Sequence, residues 1–317
     1  MRFSLTVLGT SAAVPVPGRY CSGVMLRTET TDVLIDCGEG TQLRLQEAGI
    51  AMGKCRTILI SHLHGDHYFG LPGLLSSLSL SGRKTPLLIV APQDLRPRLE
   101  PLLELDRFPL TFPLEFRTFH TEAPRPLLEV GDLEVLAFPL RHRLPTNGYL
   151  LRERPRPANI RKEKIAEYDI PWPEIRAIKE GADFATPDGR NIPNAELTLA
   201  PAPSRSFAYC SDTVYFPELA DYVRGVDLLY HEATFLSDLL DDAIAKGHAT
   251  ARQAALTARD AAAGRLVMGH FSTRYDGVDD HEAEARAVFP PSDAARDLWS
   301  WEVPYGLSSP PFTNDQS

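Results

Sequence analysis

His62-Leu63-His64-Gly65-Asp66-His67 is the stretch on which the reading of this chain turns. It puts four metal-ligand side chains into one tight turn, and an imidazole and carboxylate cluster this dense has few uses besides holding a metal. The run before it, Thr57-Ile58-Leu59-Ile60, is apolar and β-branched and reads as a buried strand. Leu71-Pro72-Gly73-Leu74-Leu75 then opens an apolar, helix-like stretch. The cluster therefore falls on the loop at the C-terminal end of a strand, where open α/β sheets place their sites. His62 and His64 alternate in an extended turn and point the same way, while Asp66 and His67 follow as the chain curls back toward a second ion. Gly65 is expected to allow that bend without a side-chain clash. Three of the 9 histidines fall in these six residues, which weighs against a solvated loop with chance histidines.

Working outward, 317 residues with 43% hydrophobic and 24% charged content suit one large domain, or a domain with an insertion, around a sizeable core. A formal net charge of -9 argues against a surface basic enough for nonspecific nucleic-acid binding, though a local basic patch is compatible with it. Cys21, Cys37, Cys55 and Cys210 are scattered with no CxxC pair, so they read as reduced core residues and not as zinc thiolates. Residues 1–9 alternate like a first strand and are too short an apolar run for a signal peptide. No run approaches the roughly 18 apolar residues of a membrane span, so a cytoplasmic protein without membrane association is expected.

Strand-like runs recur at 3–8, 23–27, 32–35, 57–60, 87–90, 133–139, 206–210, 227–230 and 266–268. Helix-like runs lie at 41–48, 71–80, 94–105 and 249–263, the last Ala-rich and stopped by Gly264. This mixture predicts an α/β fold of two sheets covered by helices. Residues 152–204 break the rhythm with proline and charge. Arg152, Arg154, Arg156, Arg161, Lys162 and Lys164 stand there against Glu153 and Glu163, a local excess of positive charge in an acidic chain. That segment reads as an inserted arm at about 152–200, with an ordinary solvated loop as the competing reading. Residues 303–317, with Pro304, Pro310 and Pro311 among small polar residues, read as a loose tail after a domain spanning 1–302.

More ligands are needed if the 62–67 turn serves two ions, and candidates at the same sheet edge should each follow a strand. His142, Asp212 and His270 do, which makes seven nitrogen or oxygen donors with His62, His64, Asp66 and His67. Such a set suits zinc or a similar borderline ion. Glu232 and His248 are candidates for a carboxylate–imidazole pair that fixes a tautomer and raises a pKa, with a surface ion pair as the alternative. His231 is expected to brace the site. His120 and His281 lack a preceding apolar strand and look like exposed polar residues.

The His-x-His-x-Asp-His turn at a strand end resembles the metallo-β-lactamase superfamily. Five further stretches narrow the resemblance: Leu8-Gly9-Thr10-Ser11-Ala12-Ala13-Val14-Pro15, Asp36-Cys37-Gly38-Glu39-Gly40-Thr41-Gln42, His231-Glu232-Ala233-Thr234, Gly247-His248-Ala249-Thr250 and Gly269-His270-Phe271-Ser272-Thr273-Arg274-Tyr275. Together they resemble the ribonuclease Z family of tRNA 3′-end processing endonucleases, from residue 1 to about 290. The resemblance implies a four-layer αβ/βα sandwich, two Zn2+ per chain, precursor tRNA as substrate and a homodimer. It implies that His62, His64 and His142 hold one zinc, that Asp66, His67 and His270 hold the other, and that Asp212 bridges them. It implies that the arm, with Arg152, Arg154, Arg156, Arg161, Lys162 and Lys164, grips tRNA away from the cut, and that Arg274 meets substrate nearer to it. One departure lies in the arm, where family members often carry a Gly-Pro pair and this chain reads Ile170-Pro171-Trp172-Pro173-Glu174-Ile175.

In the chemistry this implies, Asp66 orients water and accepts its proton, and His248, held by Glu232, protonates the leaving oxygen. Two rival readings carry different expectations. A phosphodiesterase or esterase for small substrates would need no basic arm, and a noncatalytic RNA-binding protein with structural zinc would lack some of the seven donors.

Overall fold

Two seven-stranded sheets carry the chain, and most of their strands are the apolar runs picked out above. The computed structural model describes residues 2–119 and 121–305. The first sheet runs Ser300–Glu302, Phe3–Gly9, Gly23–Thr28, Asp32–Ile35, Cys55–Leu59, Leu87–Ala91, Leu114–Thr118. Its first four strands pair antiparallel and the rest parallel. The second runs Ser292–Ala294, Arg265–Gly269, Leu228–Glu232, Ser206–Cys210, Thr146–Glu153, Leu133–Leu140, Arg125–Val130, with its first four strands parallel.

Inward faces of both sheets meet in one buried core that includes Phe3, Val33, Leu59, Tyr149, Phe207 and Tyr230. Helices Thr41–Glu47, Leu71–Leu80 and Leu95–Leu103 cover the outer face of the first sheet through Leu45, Leu74, Leu75 and Leu99. Helices Ala251–Asp260 and Asp279–Arg286 cover that of the second through Ala254, Ala255, Ala258 and Ala285. This is the expected αβ/βα sandwich. With both faces covered, the central parallel strands have no solvent side, and so they read as continuous apolar runs. Each fully buried Leu or Phe contributes about 1.5–3 kcal/mol. The Ala-rich helix starts at a capping box, in which the Thr250 side chain accepts from Gln253 N and the Gln253 side chain accepts from Thr250 N. No helix among the described residues is long and apolar enough to cross a membrane.

Residues 153–204 form a second compact unit. Strands Asn159–Ile160 and Thr198–Leu199 pair, as do Phe184–Ala185 and Asn191–Ile192. With helices Lys162–Glu167 and Trp172–Lys179 they enclose a small core of Ile170, Ile178, Phe184, Ile192 and Leu197. Arg152 lies outside this unit: it belongs to strand Thr146–Glu153 and stands opposite Ser206 in the antiparallel register. Of the tail expected from Val303, that first residue is buried and its N–H donates to the Phe3 carbonyl. Arg205 lies 4.0 Å from the ring centroid of Tyr305, and residues 306–317 lie outside the described residues.

Candidate active site

The parallel strands of both sheets end at one edge, and the chemistry-bearing residues follow those ends. His62 and His64 come after Cys55–Leu59, and Asp66 and His67 lie in the one-turn helix Gly65–Tyr68. His142 follows Leu133–Leu140, Asp212 follows Ser206–Cys210, and His270 follows Arg265–Gly269. All seven expected donors converge. His62, His64, His142 and Asp212 form one set of mutually close ligand atoms, and Asp66, His67 and His270 form another. Asp212 faces both: Oδ2 lies 3.5 Å from His62 Nε2 and 3.7 Å from His142 Nε2, while Oδ1 lies 3.4 Å from His67 Nε2 and 3.3 Å from His270 Nε2.

The hydrogen bonds fix the tautomers. His142 Nδ1 donates to the Gly247 carbonyl at 2.7 Å, and His67 Nδ1 donates to Asp36 Oδ2 at 2.7 Å. Ser61 Oγ spends its proton on Asp36 Oδ2, so it accepts from His62 Nδ1 at 3.1 Å. Thr234 Oγ1 spends its proton on Glu232 Oε2, so it accepts from His270 Nδ1 at 2.9 Å. All four imidazoles therefore turn Nε2 inward, the atom that a metal would take. His64 instead presents Nδ1, which lies 3.0 Å from His62 Nε2 and 3.2 Å from His142 Nε2. Three ring nitrogens meet here, and a proton on His64 Nδ1 satisfies only one of the other two at a time, whereas a cation among them takes a lone pair from all three. His67 Nε2 and Asp212 Oδ1 are buried with no hydrogen-bond partner. The donor set thus fits metal on both counts.

Burial holds His62, His64 and His142 below the ordinary histidine range, the state a metal ligand requires. Burial alone would lower His67 too, but Asp212, Asp66 and Asp36 outweigh it and push it well up. Burial would raise Asp66, yet His67 and His270 hold it far below the usual carboxylate range, and Ala13 N donates to its Oδ2 at 2.8 Å. Two loops at this edge use left-handed backbone at non-glycine residues: Asp36, which accepts from His67, has φ 58°, and the ligand candidate His270 has φ 57°. Strain of this kind persists where surrounding contacts impose it, and it clusters at functional sites.

Glu232 and His248 are the expected pair and not a surface ion pair. His248 Nδ1 donates to Glu232 Oε1 at 2.9 Å. Glu232 is fully buried and also accepts from Thr213 N, Thr234 N, Thr234 Oγ1 and Ala249 N. Burial disfavours charge on His248, but Glu232 outweighs it and moves the imidazole up to about 9.

Several expectations are corrected. Gly65 is not among them: it serves the turn as expected, through space and not through a positive φ, since a Cβ there would lie 2.3 Å from the Phe69 ring. His281 is buried, packed between the Phe271 and Tyr275 rings, while His120 lies outside the described residues. His231 is buried and donates from Nδ1 to the Glu232 carbonyl, which braces that strand end. The arm is not basic as a unit: residues 153–204 hold eight Lys or Arg against nine Asp or Glu. Arg156 lies 3.0 Å from Glu153, Lys164 lies 2.9 Å from Glu167 and 3.1 Å from Glu196, and Arg161 donates to the Thr198 carbonyl. Lys162 and Arg154 are exposed. Of the substrate-binding candidates, Arg274 alone lines the cleft of about 620 Å3 over the metal-ligand cluster. Asp36 is a site residue that the metal-ligand pattern alone does not single out, although, like Asp212, it directly follows a strand, here Asp32–Ile35.

Comparison with known proteins agrees with this geometry. A family model described as a beta-lactamase superfamily domain matches residues 178–271, and one described as anti-Pycsar protein Apyc1 matches residues 3–104. Ribonuclease Z of Bacteroides thetaiotaomicron is 40% identical over 296 residues, covering 93% of this chain and 94% of that one. Ribonuclease Z of Porphyromonas gingivalis is 41% identical over 297 residues, covering 93% and 97%. Among solved structures, the short form of human tRNase Z superposes with a TM-score of 0.70 at 29% identity, covering 95% of this chain and 99% of that one.

Proposed function

Because this chain belongs to the ribonuclease Z family, we propose that it is a metal-dependent endoribonuclease that removes the 3′ trailer from precursor tRNA and leaves a 3′-hydroxyl on the tRNA. The observation that carries the reading is the convergence of His62, His64, Asp66, His67, His142, Asp212 and His270 at one sheet edge, with Asp212 turned to both sets. Nitrogen and oxygen donors without thiolate favour zinc, and two donor sets sharing one carboxylate favour two ions. When bound, divalent ions supply a more acidic water and neutralise charge on the phosphate.

The chain's own residues do the rest. Asp66, held by Ala13 N, orients the attacking water and accepts its proton. His248 is protonated at neutral pH and faces the cleft, where it gives a proton to the leaving oxygen; Glu232 fixes its tautomer. Arg274 at the cleft wall meets backbone phosphate. The arm grips tRNA away from the cut through Arg154 and Lys162, and Trp172, 84% exposed, offers a face for base stacking. A homodimer is supported by exposed Leu43, Leu80, Leu102 and Phe108 on and beside the neighbouring helices over the first sheet. Four buried free cysteines support a reducing cytoplasm.

The test is incubation of the metal-loaded protein with a 3′-extended precursor tRNA, with and without chelator, mapping the cut. Cleavage at the trailer junction that chelator abolishes is the expected result. Hydrolysis of bis-p-nitrophenyl phosphate with the precursor left intact would overturn the reading in favour of a small-substrate phosphodiesterase.

A further inference from the structure

We propose that Lys246 and Arg274, seated on the ring of Phe235, form a subsite for an RNA backbone phosphate adjoining the one that is cut. The proposal rests on the nuclease reading above.

Apart from the metal-ligand residues and His248, the cleft is lined by three cations, Arg143, Lys246 and Arg274, and one carboxylate, Glu39. The chain as a whole carries a net charge of -9, so this is a local reversal of sign. Two of the cations share a seat. Lys246 Nζ lies 5.4 Å, and the Arg274 guanidinium carbon 5.0 Å, from the centroid of the Phe235 ring. Phe235 is 2% exposed, and its backbone is tied on both sides: its N–H donates to the Ala249 carbonyl and its carbonyl accepts from Ala251 N. The ring is therefore a fixed platform between the segments that carry Glu232 and His248.

Asp242 contacts both cations, 3.5 Å from Lys246 and 3.4 Å from Arg274, yet it does not line the cleft. One carboxylate thus balances two cations from outside the cleft and leaves their cleft side net positive. Two like charges drawn to one ring repel, and an anion between them relieves that repulsion. A phosphodiester suits the pair, because arginine offers a fork to its oxygens and lysine a point charge. Lys246 stands two residues before His248, and Arg274 four residues after His270, so the phosphate they hold is a neighbour of the reacting one. Single-stranded RNA brings such a neighbour to every cut, whereas bis-p-nitrophenyl phosphate brings none.

A cycle between residue and phosphate tests this. Precursor RNAs carry one neutral methylphosphonate at successive positions flanking the cut, and kcat/KM is measured for wild type, Lys246→Gln and Lys246→Arg. Loss of one charged contact is expected to lower kcat/KM about tenfold. At one flanking position the methylphosphonate and Lys246→Gln together should lower it no further than either alone, and Lys246→Arg should restore most of the loss. Losses that multiply at every position would overturn the proposal while leaving the nuclease reading intact. A wild-type enzyme that cuts no precursor would sink both, and the all-phosphate control separates the two failures.

Discussion

Asp36 is the residue on which the metal-facing imidazoles most depend. It receives His67 Nδ1, Tyr209 Oη, Ser61 Oγ and Ser61 N, all at 2.7–2.8 Å, and it has no exposed surface. Through Ser61 it also orients His62. Asp36→Asn keeps the shape but offers an amide where His67 needs an acceptor. We expect its metal affinity to fall about 10- to 100-fold, as when a partner of a ligating histidine is lost, read by competition with a coloured chelator. His281 makes a different prediction. Burial lowers it to about 4, assisted by the nearby Arg19. Between about 6.5 and 4 the unfolded chain binds a proton that the folded chain refuses. Stability is therefore full above pH 6.5 and declines as pH falls, by about 3 kcal/mol at pH 4. Urea midpoints measured across that window should fall less steeply in His281→Gln; an unchanged slope would clear His281 of the effect.

At the scale of elements, the insertion has a simple geometry in the sheet. Arg152 and Ser206 are register partners, so the strands that enter and leave residues 153–204 are already side by side. Replacing those residues with Asn-Gly leaves a three-residue loop, Asn-Gly-Arg205, between the partners, which should close a hairpin without disturbing the sheet. The variant is expected to keep bis-p-nitrophenyl phosphate hydrolysis and lose precursor tRNA cleavage at least tenfold, and equal loss of both would tell against the arm as a tRNA grip. The same elements explain what was legible in the sequence. Buried parallel strands announced themselves as apolar runs. Leu114–Thr118 and Arg125–Val130 did not, because they are sheet edges with exposed charged or polar positions. Thr146–Glu153 hid behind Asn147 and Gly148, which suggest a turn; the strand is nonetheless almost wholly buried, and a Cβ on Gly148 would lie 2.1 Å from the Phe138 ring. The ligands were legible because each follows a strand. The neutral balance of the arm was not, because its first dozen residues are basic and its acids come later.

Across the whole molecule, the metal-ligand cluster is shared between the sheets. His62, His64, Asp66 and His67 come from the first, and His142, Asp212 and His270 from the second. Bound metal therefore ties the two layers together, and it favours the folded chain by mass action, about 3 kcal/mol at a free concentration a hundredfold above its Kd. Chelation should lower the melting temperature by several degrees, checked by calorimetry, with recovery when metal is returned. The shared site also puts a demand on each turnover. Glu232 already meets five donors, more than the roughly four lone-pair directions of a carboxylate. It has no room to take up a proton and relay it onward. On the proposed reading, a His248 that has given its proton away regains one from bulk water through the mouth of the cleft and not by way of Glu232, so a severed RNA end lingering there would delay the next round.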